Sequence, residues 1–151
     1  MGSFFSGIGI RIAIVGVIVV GGFILRDRLT GGAGDLQVGD CFDVPAATTV
    51  SEVQHHPCSE PHTGEVFHIF DFVASTSAYP TDEEFASQIV ATCETAFQTY
   101  TGVDPANSPN LTWDVFFPLE EGWSEGDREI SCYLYQVDGA TMTQSYKLGA
   151  S

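Results

Sequence analysis

The stretch TDEEFASQIVATCETAFQTYTG, Thr81 to Gly102, decides the fold. Thr81 with Glu84 three residues on forms a capping box, and Pro80 stands just before it. Phe85, Ile89, Cys93 and Phe97 recur every four residues, with Ala86, Val90 and Tyr100 alongside, and Gly102 stops the helix. The spacing predicts one long amphipathic helix whose apolar stripe carries Cys93 against a sheet.

The sheet is read from the flanking segments. Glu65 to Val73 (EVFHIFDFV) is rich in β-branched and aromatic residues and apolar on both faces, which predicts a central strand. Further strands are expected at Leu36 to Phe42, Thr48 to Gln54, Leu111 to Phe117 and Ile130 to Val137. An Asp138-Gly139 turn then leads into a last short strand near Thr141 to Lys147. In the strand from Ile130, period two puts Ile130, Cys132 and Leu134 on one face. Cys132 is therefore core-facing and a mate for Cys93. Four cysteines allow three connectivities, which the sequence alone does not choose between. The helix and strand placement favours Cys93–Cys132 and leaves Cys41–Cys58. The expected fold class is α+β, a small disulfide-stapled domain with one long helix packed on a mostly antiparallel sheet.

Outward from this domain, residues 4–25 read FFSGIGIRIAIVGVIVVGGFIL. A helix of that length rises roughly 33 Å, enough to cross a bilayer core of roughly 30 Å, with Arg11 snorkelling to the nearer interface. A signal peptide cleaved near Gly31-Gly32-Ala33 is the alternative. The division is then a membrane anchor at 1–28, a glycine-rich linker at 29–34 and an outer domain at 35–151. An even cysteine count fits an oxidising compartment, so the N-terminus is expected in the cytoplasm and the domain outside it. Gly9, Ala13 and Gly16 form a small-residue face where another membrane helix could pack. From Asp35 onward there are two bases, Arg128 and Lys147, against nineteen acids. Such a surface disfavours nucleic acid and anionic lipid headgroups.

All four histidines fall in HHPCSEPHTGEVFH, His55 to His68, with Cys58, Glu60 and Glu65. A structural zinc site takes four ligands, usually as two close Cys/His pairs, and only one such pair is present. A trio of His62, Glu65 and His68 is conceivable, but period two places Glu65 on the opposite face from the two histidines. No metal site or cofactor is expected. Gly122-Trp123-Ser124-Glu125-Gly126 matches a nucleophile elbow, yet a strand follows it and no histidine lies beyond His68, so no catalytic residue is expected there.

Several blocks together carry a resemblance. They are Val38-Gly39-Asp40-Cys41-Phe42, Pro57 to Val66 (PCSEPHTGEV), Tyr79 to Glu84 (YPTDEE), Cys93, Tyr100 and Gly102, Pro118, Trp123 to Arg128 (WSEGDR) and Cys132. In this pattern the chain resembles the septum formation domain family of actinobacteria and their relatives, over about Leu36 to Leu148. The resemblance implies a membrane-anchored extracytoplasmic domain and supplies no catalytic residue. His62 is then expected to order the loop after Cys58 by a fixed hydrogen bond, with Glu65 in the same structural loop. His55 and His56 are expected to be simply exposed. The expected role is a non-enzymatic, single-pass cell-membrane protein, in contact with lipid through its anchor. Its acidic domain would contact membrane-protein partners, at the division septum or as an accessory subunit of a larger complex. The alternative is a ligand-sensing or cell-wall-binding domain with Trp113, Phe116 and Trp123 as pocket residues.

Overall fold

The structure is a computed structural model and describes residues 30–46 and 52–150. In chain order the elements are β1 (Thr30–Gly32), β2 (Cys41–Asp43), β3 (Glu52–His56), β4 (Gly64–Asp71), α1 (Asp82–Thr101), β5 (Leu111–Phe116), α2 (Glu120–Ser124) and β6 (Glu129–Gln136). The strands form one sheet in the order β1-β3-β2-β4-β6-β5, every neighbouring pair antiparallel. This is a small α+β domain with one long helix and two disulfides.

The ends of α1 are set by local chemistry. The Glu84 N–H donates to Thr81 Oγ1 at 3.3 Å and the Thr81 N–H donates to Glu84 Oε2 at 2.9 Å, closing the capping box. At the other end Gly102 adopts φ 73°, a left-handed cap that a side chain would strain. The buried face carries Phe85, Ile89, Cys93, Phe97 and Tyr100, whereas Val90 turns out 42% exposed, at the margin of the stripe. That face packs on Phe67, Ile130, Cys132 and Leu134 of β4 and β6. Cys93 and Cys132 are both fully buried and bonded, so α1 is stapled to the sheet at its centre. The opposite face of the sheet holds Phe42, Val66, Phe116 and Tyr133 as a second, largely aromatic cluster. Cys41–Cys58 ties β2 to the turn that follows β3.

Four sequence expectations change. Glu65 pairs with Leu134 and His68 with Cys132, two positions apart on β6 but three on β4, because the register shifts between Val66 and His68. This β-bulge absorbs one residue, so Glu65 and His68 share the helix-facing side instead of lying on opposite faces. Leu36 to Asp40 is a turn, held by the Gln37 N–H on Asp40 Oδ2 and the Asp40 N–H on the Gln37 carbonyl, and only Cys41–Asp43 is strand. Thr30–Gly32, inside the stretch read as linker, pairs with β3 as an edge strand. Thr141 to Lys147 forms no strand: its backbone makes a single bridge, Met142 with His62, and then gives its donors to a side chain described below. Residues 4–25, with Gly9, Ala13 and Gly16, lie outside the described residues, as do 48–51 of the expected second strand. Among the described residues no helix is long and apolar enough to cross a membrane.

Gly64 opens β4 where no side chain fits. A Cβ there would lie 2.7 Å from Val44 Cγ2 and 2.9 Å from the buried ring of Phe42. Gly64→Ala is therefore expected to destabilise the domain by about 1–3 kcal/mol, read as a lowered urea midpoint at unchanged slope.

Candidate functional site

Three parts of the chain converge where β4 begins: the Cys41–Cys58 bridge, the C-terminal turn of α1, and the tail after β6. Their common point is Glu65, which is 0% exposed. Its Oε1 accepts from the Tyr100 hydroxyl at 2.7 Å and from the Ser145 hydroxyl, and its Oε2 accepts from the Tyr146 N–H at 2.8 Å. A buried carboxylate is costly unless hydrogen-bonded, and three donors to an ionised acceptor are the strong kind. Burial, together with the hydrogen bond to Glu65 and its charge, raises the Tyr100 phenol above its ordinary range, so it remains a donor.

His62 lies beside this carboxylate and is also 0% exposed. It precedes β4, and its main chain exchanges two hydrogen bonds with Met142, at 3.0 and 2.7 Å. Its Nδ1 sits 2.7 Å from the Glu60 carbonyl oxygen. A carbonyl only accepts, so Nδ1 carries the proton and, in the neutral ring, Nε2 carries the lone pair. Nε2 is buried and has no hydrogen-bond partner among the described residues. Ligand-type atoms of Cys41, His62 and Glu65 all lie within 4.8 Å of one another. This differs from the conceivable trio of His62, Glu65 and His68: the bulge sends His68 further along the helix side, and Cys41 of β2 takes its place.

The other singled-out residues are elsewhere. His55 and His56 are half-buried rather than simply exposed, because β3 faces acids of the β2 region: His56 Nε2 lies 2.8 Å from Asp43 Oδ2, and His55 Nδ1 lies 4.0 Å from Asp40 Oδ2. Ser124 donates its hydroxyl to the Glu121 carbonyl at 2.7 Å, at the end of a five-residue helix. Trp123 and Phe116 are core residues, and Trp113 packs partly against the core. Trp123 holds the Arg128 guanidinium 3.5 Å over its ring, and Arg128 Nη1 donates to the Trp123 carbonyl at 2.8 Å. These contacts give the Trp123 to Arg128 block a structural role.

An open groove of about 710 Å³ lies instead between α1 and the tail, lined by Phe67, His68, Thr95, Thr99, Lys147 and Leu148 among others. Thr95 and Thr99 donate their hydroxyls to helix carbonyls of Ala91 and Thr95, so their polar atoms are spent within α1. Burial lowers the pKa of His68, which is therefore neutral at neutral pH. The groove was not legible in the sequence, since its tail wall depends on contacts more than eighty residues apart in the chain.

A disulfide-stapled α+β domain organised around a buried His–Glu pair is thus the class that fold and site define. The family model for septum formation matches residues 33–148, which includes all four cysteines, His62, Glu65 and Tyr100. The chain belongs to the septum formation family. No curated protein and no solved structure matches the chain.

The buried phenols make stability depend on alkaline pH. Tyr100 and Tyr133 both have pKa values raised above the ordinary 10.0, first by burial and then by neighbouring carboxylates. Above pH 10 the unfolded phenols lose protons that the folded ones keep, so their contribution is full below that pH and lost as pH rises. Urea midpoints are expected to fall between pH 9 and pH 11 (values bracketing the ordinary 10.0). Tyr100→Phe should flatten that slope, while lowering stability at neutral pH by about 1–3 kcal/mol through the lost bond to Glu65.

Proposed function

We propose that this chain is a non-enzymatic, membrane-tethered member of the septum formation family whose acidic outer domain binds other proteins through the groove beside α1. The groove is the observation that carries the reading. Glu65 and Tyr100 are committed to holding the tail, and Ser145 donates to a carboxylate rather than to an imidazole, so its hydroxyl is not activated as a nucleophile. What remains open to a partner is a mostly apolar wall on α1, with Lys147 at its edge as one of only two bases from residue 35 onward. An apolar centre with a polar rim is the usual anatomy of a protein interface. The segment at 4–25 supplies the anchor, Gly9, Ala13 and Gly16 a face for a partner helix, and the compartment is extracytoplasmic.

The family description favours the division septum as the place. The other version of the same reading is an accessory subunit of a larger membrane complex. The size of the groove also supports a ligand-sensing or cell-wall-binding role, in which a small molecule rather than a protein lies along α1.

The test is a fusion to a fluorescent protein that matures outside the cytoplasm, compared with its Thr95→Arg variant. Thr95 is exposed, so the variant is expected to fold with an unchanged urea midpoint. The wild-type fusion should concentrate at septa and the variant should spread over the envelope. Uniform distribution of both, with one membrane complex co-purifying at stoichiometric yield, would replace the septal reading by the accessory-subunit one. Retention on isolated peptidoglycan at high salt, lost in the variant, would favour the ligand reading.

A further inference from the structure

We propose that the Cys41–Cys58 disulfide and a bound zinc-type cation are alternative closures of one site. When a dithiol reductant opens the bridge, Cys41, Cys58, His62 Nε2 and Glu65 become the four ligands of a single divalent ion. The inference stands on geometry independent of the groove.

Four observations meet here. His62 is fully buried, its Nε2 has no hydrogen-bond partner among the described residues, and a ring nitrogen lies within 4.8 Å of ligand-type atoms of both Glu65 and Cys41. Its Nδ1 proton is fixed on the Glu60 carbonyl at 2.7 Å, the outer-shell hydrogen bond that orients metal-ligating imidazoles and aims the other nitrogen's lone pair. The Glu65 oxygens are oriented by Tyr100, Ser145 and Tyr146, which leaves lone-pair capacity on the carboxylate. The fourth ligand is the sulfur bonded to Cys41, that of Cys58. Two thiolates, one imidazole and one carboxylate are a donor set that zinc takes in a closed tetrahedron. Its edges run about 3.3–3.8 Å, so the atoms of Cys41, His62 and Glu65 need to contract by about 1–1.5 Å while the Cys58 sulfur parts from Cys41 and turns to the fourth position.

The oxidised domain offers only His62 and Glu65, because disulfide sulfurs are not thiolates. Cys58 is partly exposed and Cys41 is 1% exposed, so a reductant thiolate attacks the Cys58 sulfur and Cys41 leaves. The second thiol of the reductant then attacks the mixed disulfide and releases Cys58. The reductant ends as a disulfide, its two electrons and two protons on Cys41 and Cys58. The cation displaces those two protons on binding. Cys93 and Cys132 are both 0% exposed inside the core and resist the same attack.

The probe is Co²⁺ added anaerobically to the full chain in detergent, before and after graded dithiol reduction with counting of free thiols. The oxidised chain should give no tetrahedral ligand-field absorption. The chain with two thiols freed should take up one Co²⁺, with thiolate charge-transfer bands, and lose it to one equivalent of Zn²⁺. His62→Gln should weaken binding by more than about tenfold, the scale seen even for outer-shell partners of metal ligands. The double variant Cys41→Ser/Cys58→Ser, which keeps the core bridge, should show no bands. If reduction melts the domain, one equivalent of Zn²⁺ should refold it, since binding and folding are then linked. Absence of stoichiometric uptake, uptake that persists in the double serine variant, or indifference to His62→Gln would each overturn the proposal.

Discussion

The carboxylate of Glu65 sits where no solvent reaches it, and the fold is arranged around meeting its hydrogen-bonding demand. An ion of this kind left unpaired in the interior costs several kcal/mol. Each charge-assisted hydrogen bond returns about 1.5–3 kcal/mol, so three together offset a penalty of that size. The donors come from the end of α1 and from two consecutive residues of the tail. One acid on β4 thereby fixes the distance of the helix from the sheet, the path of the chain after β6, and the far wall of the groove. The Leu148 N–H on the Tyr100 carbonyl, at 2.7 Å, adds a second tie between tail and helix.

The two disulfides act on different parts of this arrangement. Cys93–Cys132 joins the middle of α1 to β6 inside a dry aromatic and aliphatic core, where Phe67 meets Phe97 edge-on at 5.6 Å. Cys41–Cys58 lies at the margin and holds the turn that presents His62 to Glu65. The first is buried and structural. The second includes the partly exposed Cys58 and has polar neighbours, which is the setting in which sulfur chemistry can be coupled to something else.

Local signals made α1 readable. A capping box, a four-residue apolar repeat and a terminal glycine all act within one turn of helix, and the structure begins and ends α1 at those residues. Cys132 was readable too, because β6 is regular and alternation holds along it. Alternation failed on β4, where the bulge between Val66 and His68 in the pairing with β6 leaves no mark in composition. The tail failed for a related reason. Thr141 to Lys147 has the pattern of a strand, but a buried acid eighty residues upstream competes for its N–H and hydroxyl donors and wins. His62 and Glu65 were picked out within one loop, while their partners Tyr100, Ser145 and Cys41 become neighbours only through the fold.

Ser145 and Tyr146 follow every strand and helix of the domain, and this also orders events in time. A nascent polypeptide emerges from its N-terminus, so β4 and α1 exist long before the residues that neutralise Glu65 have been synthesised. Until they arrive, the carboxylate must stay hydrated, which keeps the end of α1 from closing onto β4. The domain therefore completes its packing only after the segment that follows β6 has been synthesised. A single acid makes completion of the domain a late event, well after Cys41 and Cys58 have been synthesised.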